Sequence, residues 1–143
     1  MQNRGLSYLE SIIKYCQDIE DIHTVYDNSY EKYYTNKGYQ YSVSFCVEQI
    51  GELGKKLRDI GYAEKYPDVS WNEIAGLRNR IAHGYDAIDL EMVYDISIND
   101  IPKLLQSCKD ILHKETSLEN HIQNSKQRAV TVQIDSPAKE NER

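Results

Sequence analysis

Apolar residues recur every three or four positions through most of this chain, which is the spacing of one face of an α-helix. One such run covers residues 6–26 and a second covers residues 39–61, with charged side chains at the positions between. A third helix is predicted over roughly residues 71–83. A fourth begins at Asp89, as its N-cap, and extends to Leu112. This pattern predicts an all-α fold.

Glycine and proline residues mark where these helices meet and end. Gly51 and Gly54 lie on one face of the second helix, which predicts a close crossing with another helix, and Gly61 predicts its end. Ser70 and Glu73 have the spacing of a capping box at the start of the third helix. Pro102 predicts a bend and not a break in the fourth helix, because the apolar pattern continues beyond it.

Two groups of polar or aromatic residues inside the first half have both an ordinary and a functional interpretation. His23 falls in the apolar face of the first helix, so a buried, hydrogen-bonded histidine is favoured over a catalytic one. Residues 26–41 carry six tyrosines, which could stack on RNA bases or pack against neighbouring helices. Packing is favoured for most of them.

Composition narrows the class of protein. The 143 residues suit one helical domain, and the net charge of −6 means that any contact with RNA must depend on a local patch. Three widely spaced cysteines predict reduced thiols and a cytoplasmic protein. No apolar run is long enough for a membrane span, and no glycine-rich phosphate loop is present.

The C-terminal residues differ from the rest. Residues 114–143 carry five basic and five acidic side chains, so the whole net charge belongs to residues 1–113. We therefore predict a helical domain over 1–113 and a flexible or partner-bound tail over 114–143. The tail contains a possible short helix, and residues 130–134 alternate like a strand that could add to a partner's sheet.

The third helix carries the candidate chemistry. At about 100° per residue, Ile74, Leu77 and Ile81 share a buried face, while Asn79 and His83 point away from it. Arg78 lies on the flank of the buried face. This phasing does not bring Arg78 and His83 together, so a second subunit could complete the site.

Arginine and histidine suit RNA cleavage without a metal or cofactor. The four histidines lack the spacing of a zinc site. His83 can take a proton from a ribose 2′-hydroxyl, Arg78 can stabilise the phosphate, and Asn79 can orient either group. Such cleavage leaves a 2′,3′-cyclic phosphate and a 5′-hydroxyl. The spacing by itself fits an ordinary surface helix equally well.

Three stretches together resemble the HepT family of HEPN domains. Residues 70–85 read SWNEIAGLRNRIAHGY, which is similar to the family pattern P-W-x-x-I-x-x-x-R-N-x-x-x-H-x-Y. Residues 50–57 (IGELGKKL) and 89–105 resemble two further family helices. Ser70 and Tyr94 stand where the family often has proline and tryptophan. The resemblance covers roughly residues 6–112.

The resemblance implies an antiparallel bundle of four to five helices that forms a homodimer or higher oligomer. It implies an R-x4-H ribonuclease site at the dimer interface, formed by Arg78, Asn79 and His83 and acting on RNA such as tRNA or mRNA. It also implies a toxin–antitoxin pair, in which an MntA-type nucleotidyltransferase transfers AMP to Tyr85 and inactivates the toxin. The alternative is a non-catalytic module that docks such a nucleotidyltransferase, which the acidic charge of residues 1–113 favours.

Overall fold

The computed structural model describes the backbone of residues 3–82, Gly84 and residues 87–141, and side chains as far as residue 129. Its regular elements, in chain order, are α1 (Arg4–Val25), α2 (Tyr30–Thr35), α3 (Lys37–Asp59), α4 (Tyr62–Lys65), α5 (Trp71–Ala75), α6 (Leu77–Ile81), α7 (Leu90–Asp95), a π-helical turn (Ile96–Asp100) and α8 (Ile101–Asn141). The predicted all-α fold is confirmed. The four main predicted helices correspond to α1, α3, α5 with α6, and α7 through α8.

The core forms where the apolar faces of α1 and α3 meet the later helices. Leu9, Ile12, Val43 and Ile50 are fully buried within it. The core cluster continues through α5, α6, α7 and the first part of α8. These are the positions that the three-and-four spacing identifies, because burying one stripe of each helix is what holds such a fold together.

The predicted helix crossing lies at Gly51 and Gly54. A Cβ atom on Gly51 would lie 3.3 Å from the Cβ of Leu77 and 3.6 Å from the backbone nitrogen of Arg78. A Cβ atom on Gly54 would lie only 2.2 Å from the Cγ2 of Ile74. The two glycines therefore let α5 and α6 lie directly on the backbone of α3. This contact positions the segment that carries the candidate site.

The third predicted helix is interrupted. It divides at Gly76 into α5 and α6 and ends at Ile81, two residues earlier than predicted. The predicted capping box is also wrong, since Ser70 is the N-cap but its side chain makes no capping hydrogen bond. The N–H of Trp71 donates to the carbonyl of Val69 at 2.9 Å. This tight turn sets ψ of Ser70 to 71°, outside the extended region that a capping serine usually adopts.

Other predicted ends agree with the structure. Gly61 ends α3 with a positive φ of 103°, which glycine adopts without steric cost. The Asp89 side chain accepts a hydrogen bond from the N–H of Met92 at 3.0 Å and so caps α7. Pro102 cannot donate to the carbonyl four residues earlier, and the helix accommodates it with the π turn, where the N–H of Ile101 bonds to Ile96. The helix continues through this irregularity, as predicted.

Residues 130–134, whose alternating pattern could form a strand on a partner's sheet, are helical in this structure. Their backbone belongs to α8, and addition to a partner's sheet stays a prediction. Apart from one isolated bridge, the described residues form no strand that could pair with them, whereas a helix satisfies its own backbone groups. The chain divides into two compact units, up to Ile111 and from Leu112 on. No helix within the described residues is both long and apolar enough to span a membrane.

Candidate active site

The short helix α6 presents one buried face and one exposed polar face. Leu77 and Ile81 are 4% and 1% exposed, and Ile74 in α5 is also buried. Arg78, Asn79 and Arg80 are exposed. The predicted phasing of this segment is therefore correct as far as Ile81. The buried face anchors α6 on α3, which leaves the polar residues accessible to a ligand.

Arg78 faces α3. Its Nη1 atom lies 3.7 Å from Oε1 of Glu52, and the side chain of Arg78 keeps 70% of its surface exposed. The contact depends on the helix crossing, since Glu52 follows Gly51 directly. The guanidinium is thus held on one side by a carboxylate, while most of its surface remains open to solvent. Such a group is suited to bind phosphate.

Arg80 faces the opposite way. Its Nη1 atom lies 3.1 Å from Oδ2 of Asp100, in the π turn. This pair lies beside a cleft of about 280 Å³, which has an apolar floor that includes Ile74, Leu77 and Leu104. The two arginines of the motif therefore belong to different surroundings, and only Arg78 lies on the α3 side.

The segment after α6 is a closed loop. Ala82 adopts extended backbone and forms an antiparallel bridge with Ile88. The N–H of Asp89 donates to the carbonyl of Ile81 at 2.6 Å. Gly84 lies inside this loop with φ at 71°, a conformation that favours glycine. His83 and Tyr85, two of the predicted site residues, lie outside the described residues.

His23 is a buried structural residue, as predicted. It is 8% exposed, and its Nε2 lies 2.9 Å from Oγ of Ser97. Its Nδ1 is hydrogen-bonded to the hydroxyl of Tyr39. Burial lowers its pKa below the ordinary value near 6.5, because desolvation disfavours the charged ring. His23 thus joins α1, α3 and the π turn and takes no part in the candidate site.

Three of the six tyrosines of residues 26–41 pack internally, and Tyr30, at 45% exposed, lies at the edge of this cluster. Tyr33 and Tyr39 are buried, and the rings of Tyr26 and Tyr39 stack with centroids 4.3 Å apart. Tyr94 packs against Tyr33 at 4.8 Å, so an aromatic ring occupies the position where the HepT pattern often has tryptophan. The packing interpretation is confirmed for these rings. Tyr34 and Tyr41 are exposed.

The remaining reactive groups are buried or dispersed. Cys16, Cys46 and Cys108 are free and buried, and burial raises the pKa of Cys108 to about 12. Among the side chains that the structure describes, no three potential ligands come together to hold a metal ion. Among the described residues of this region, the exposed groups that could bind a phosphate are Arg78 and Arg80 of α6.

Two acidic partners of the site were not predicted from the sequence. Glu52 and Asp100 are 26 and 20 residues from the arginines that they contact, and periodicity shows only which face a residue occupies. One signal did exist for Glu52. The glycine pair predicted that another helix crosses at Gly51, so the next residue had to lie at the edge of that crossing.

Comparison with known protein families shows the class of protein to which this chain belongs. The family model described as Ribonuclease HepT-like matches residues 12–111, a range that includes α3, α6 and the loop after α6. This chain belongs to the HepT-like family.

Individual relatives are consistent with this assignment. A candidate RNase of Methanocaldococcus jannaschii, MJ0125, is 35% identical over 108 residues, which are 75% of this chain and 84% of that protein. A second from the same organism, MJ1216, is 34% identical over 107 residues, 74% of this chain and 85% of the relative. The "Probable ribonuclease HepT" of Thermococcus cleftensis is 27% identical over 104 residues, 73% and 92% of the two chains. No solved structure matched the chain.

Proposed function

We propose that this protein is a metal-independent endoribonuclease in which His83 takes the proton of a ribose 2′-hydroxyl, Arg78 binds the scissile phosphate, and Asn79 orients the His83 ring or the phosphate. The observation that carries the proposal is the exposed Arg78-Asn79 pair on a helix whose other face is buried, in a chain that belongs to the HepT-like family. Relatives named as RNases support the same activity.

The proposed reaction is an internal transfer followed by release. His83 takes the proton of a ribose 2′-hydroxyl, whose oxygen attacks the adjacent phosphorus. Arg78 binds the phosphate oxygens as negative charge develops on them. The bond to the 5′ oxygen breaks and that oxygen is protonated, leaving a 2′,3′-cyclic phosphate and a 5′-hydroxyl.

Two variants test the active residues. Arg78→Ala and His83→Ala are each expected to lower RNA cleavage at least 100-fold, while thermal unfolding stays near that of the wild type, since Arg78 is largely exposed. Arg80→Ala is the matched control, because Arg80 lies on the same helix but faces Asp100. Equal loss of activity in the control, or full activity in both test variants, would contradict the proposal. Cleavage products should carry cyclic phosphate, detectable by mass spectrometry.

We further propose that the site forms between two copies of the chain. The support is the family resemblance. Mixing the Arg78→Ala and His83→Ala proteins tests it. A shared site regains part of the wild-type activity in mixed dimers, whereas a site contained in one chain regains none.

Regulation by a nucleotidyltransferase is the final part of the proposal. An MntA-type partner would join the Tyr85 hydroxyl to the α-phosphorus of ATP and release pyrophosphate. The AMP group would then place a phosphate two residues from His83 and exclude RNA. Expression with and without the neighbouring genes, followed by intact-mass spectrometry, should show mass gains in AMP units that disappear in Tyr85→Phe. Absence of any gain with an active partner would reject this mechanism.

The protein expressed without the neighbouring genes also distinguishes the ribonuclease from the alternative function. A non-catalytic module that docks the nucleotidyltransferase would bind this partner but cleave no RNA, even when free of AMP. The pairing of Arg78 and Arg80 with carboxylates favours this alternative, because it reduces the positive charge offered to RNA. RNA cleavage by unmodified protein, lost in His83→Ala, would exclude it.

A further inference from the structure

The acidic partner of Arg78 lies beside the crossing of α3 with α5 and α6. Glu52 follows Gly51, whose added Cβ would lie 3.4 Å from the carbonyl oxygen of Ile74 in α5 and 3.6 Å from the nitrogen of Arg78 in α6. Only a residue without Cβ leaves room for the chain to pass this close to α3 beside the ion pair. Because the Cα atoms at this point cannot move apart freely, the position of Glu52 relative to Arg78 is set by the fold.

The pair contributes little to stability. Much of each side chain is open to solvent, with 70% of Arg78 and 48% of Glu52 exposed, and exposed ion pairs of this kind stabilise a fold only slightly because water screens the two charges. Its other effect is to restrict Arg78. An arginine side chain has many rotamers, and a carboxylate beside one of its nitrogens favours some of them while most of the side chain stays exposed.

Glu52 is also free of the usual helical partner on its own helix. Lys56 is four residues further along α3, the spacing at which lysine commonly pairs with glutamate. The ammonium of Lys56 instead lies 5.5 Å from the centre of the Tyr8 ring. The carboxylate of Glu52 is thus directed between helices, towards Arg78, and not along α3.

We propose that Glu52 is a positioning residue for the ribonuclease reaction, holding the Arg78 guanidinium in the orientation that stabilises the transition state. This inference rests on the proposed function. Glu52 acts through Arg78 and does not touch the substrate. A negative charge at this place weakens RNA binding in the ground state, so its benefit has to appear in the chemical step.

The second ion pair of α6 is a matched control. Arg80 and Asp100 are 45% and 48% exposed, and their closest atoms are 3.1 Å apart. Both pairs join an arginine of α6 to a carboxylate, but Arg78 is more exposed than Arg80, the closest atoms of its pair are farther apart, and the two pairs face different elements. If removing a surface charge or loosening α6 lowers kcat in general, variants of Glu52 and of Asp100 should both show it. If kcat depends on the position of Arg78, only the Glu52 variants should show it.

The experiment compares Glu52→Ala, Glu52→Gln, Asp100→Ala and Asp100→Asn with the wild type, using a short single-stranded RNA. For Glu52→Ala we expect kcat to fall on the order of tenfold, with KM unchanged or lower. Glu52→Gln should recover most of kcat, because its amide keeps the shape of the side chain and an oxygen that can accept a hydrogen bond from the guanidinium. Both Asp100 variants should stay within about twofold of the wild type.

A second measurement does not depend on activity. Nitrogen relaxation of the Arg78 side chain, assigned by its absence in Arg78→Lys, reports how ordered the guanidinium is. It should become more mobile in Glu52→Ala and remain ordered in Glu52→Gln. Unchanged order in Glu52→Ala overturns the inference, as does an unchanged kcat when Arg78→Ala is inactive. If the wild type cleaves no RNA, the proposed function fails and so does the catalytic role, whatever the order of Arg78.

Discussion

Substitution of Gly54 by alanine tests the helix crossing that supports the candidate site. The new Cβ would lie 2.2 Å from Cγ2 and 3.1 Å from Cβ of Ile74, and 3.6 Å from the nitrogen of Ala75. Carbon atoms in good contact lie about 3.5–4.0 Å apart. Ile74 is buried and β-branched, so its side chain has little freedom to turn away. Either α5 moves off α3 or the core around Ile74 is strained.

Two opposing effects determine the size of the change. Alanine favours a helix over glycine by about 1 kcal/mol, and overpacking of this kind costs about 1–3 kcal/mol. Because the closest approach is far below van der Waals contact, we expect the upper part of that range, giving a net destabilisation of about 1–2 kcal/mol. That corresponds to a Tm lower by about 4–8 °C. Chemical and thermal denaturation followed by circular dichroism measure both quantities.

A double-mutant cycle identifies the cause. Ile74→Ala removes Cγ2 and should itself cost about 2–5 kcal/mol, but in that background Gly54→Ala should be nearly neutral. The coupling energy should exceed about 1 kcal/mol. Gly51→Ala, whose nearest contact would be 3.3 Å, should stay within about 1 kcal/mol of the wild type. A Gly54→Ala protein more stable than the wild type, as expected for an exposed helical glycine, would refute the crossing.

Three further predictions concern the rest of the fold. The folded-state pKa of His23 is lowered, so the stabilising effect of the neutral ring is complete above about pH 6.5 and is lost as pH falls below that value. The free energy of unfolding should therefore decrease between pH 7 and 5.5, and this decrease should have a smaller slope in His23→Gln. Asp89→Ala removes the cap on Met92 and should cost about 1 kcal/mol, whereas Asp89→Asn keeps an acceptor and should cost less; equal costs would argue against the cap. Burial raises the pKa of Cys46 to about 11 and of Cys108 to about 12, so alkylation at pH 8 should be slow in the folded protein and rapid in denaturant; rapid native labelling would contradict this packing.

Local patterns predicted the helices and their main contact correctly. The three-and-four spacing identified buried residues such as Leu9 and Ile50, because a helix exposes one stripe to the core at that period. The glycine pair identified the crossing, because only residues without Cβ allow backbones so close. Both inferences need only the geometry of one helix. They are therefore available from the sequence.

Breaks in the helices were harder to predict. Gly76 divides α5 from α6 although the apolar spacing of Ile74, Leu77 and Ile81 continues across it. Two short helices can keep the same apolar spacing as one long helix, provided that the turn between them leaves their apolar residues on the same side. At residues 130–134 an alternating pattern was present, but alternation specifies a strand only where another strand supplies backbone partners.

Contacts between distant residues were beyond reach of the sequence. His23 bonds to Ser97, 74 residues away, and Arg78 meets Glu52 through the crossing of two helices. Each depends on how elements are arranged in space, and many arrangements share the same amphipathic pattern. The sequence predicted that His23 lies in the core and Arg78 at its edge, but it did not predict which residues they contact.

The end of α6 at Ile81 changes how the R-x4-H spacing is to be understood. On a continuous helix, residues five apart point about 140° from each other, so Arg78 and His83 would diverge. The helix stops before His83, and the loop that follows is closed by the Ala82–Ile88 bridge and by the hydrogen bond from Asp89 to Ile81. The R-x4-H spacing therefore extends from α6, which holds Arg78 and Asn79, into the segment that this bridge closes. Gly84 adopts a positive φ in that segment, so the spacing is not that of one continuous helix between Arg78 and the end of the motif.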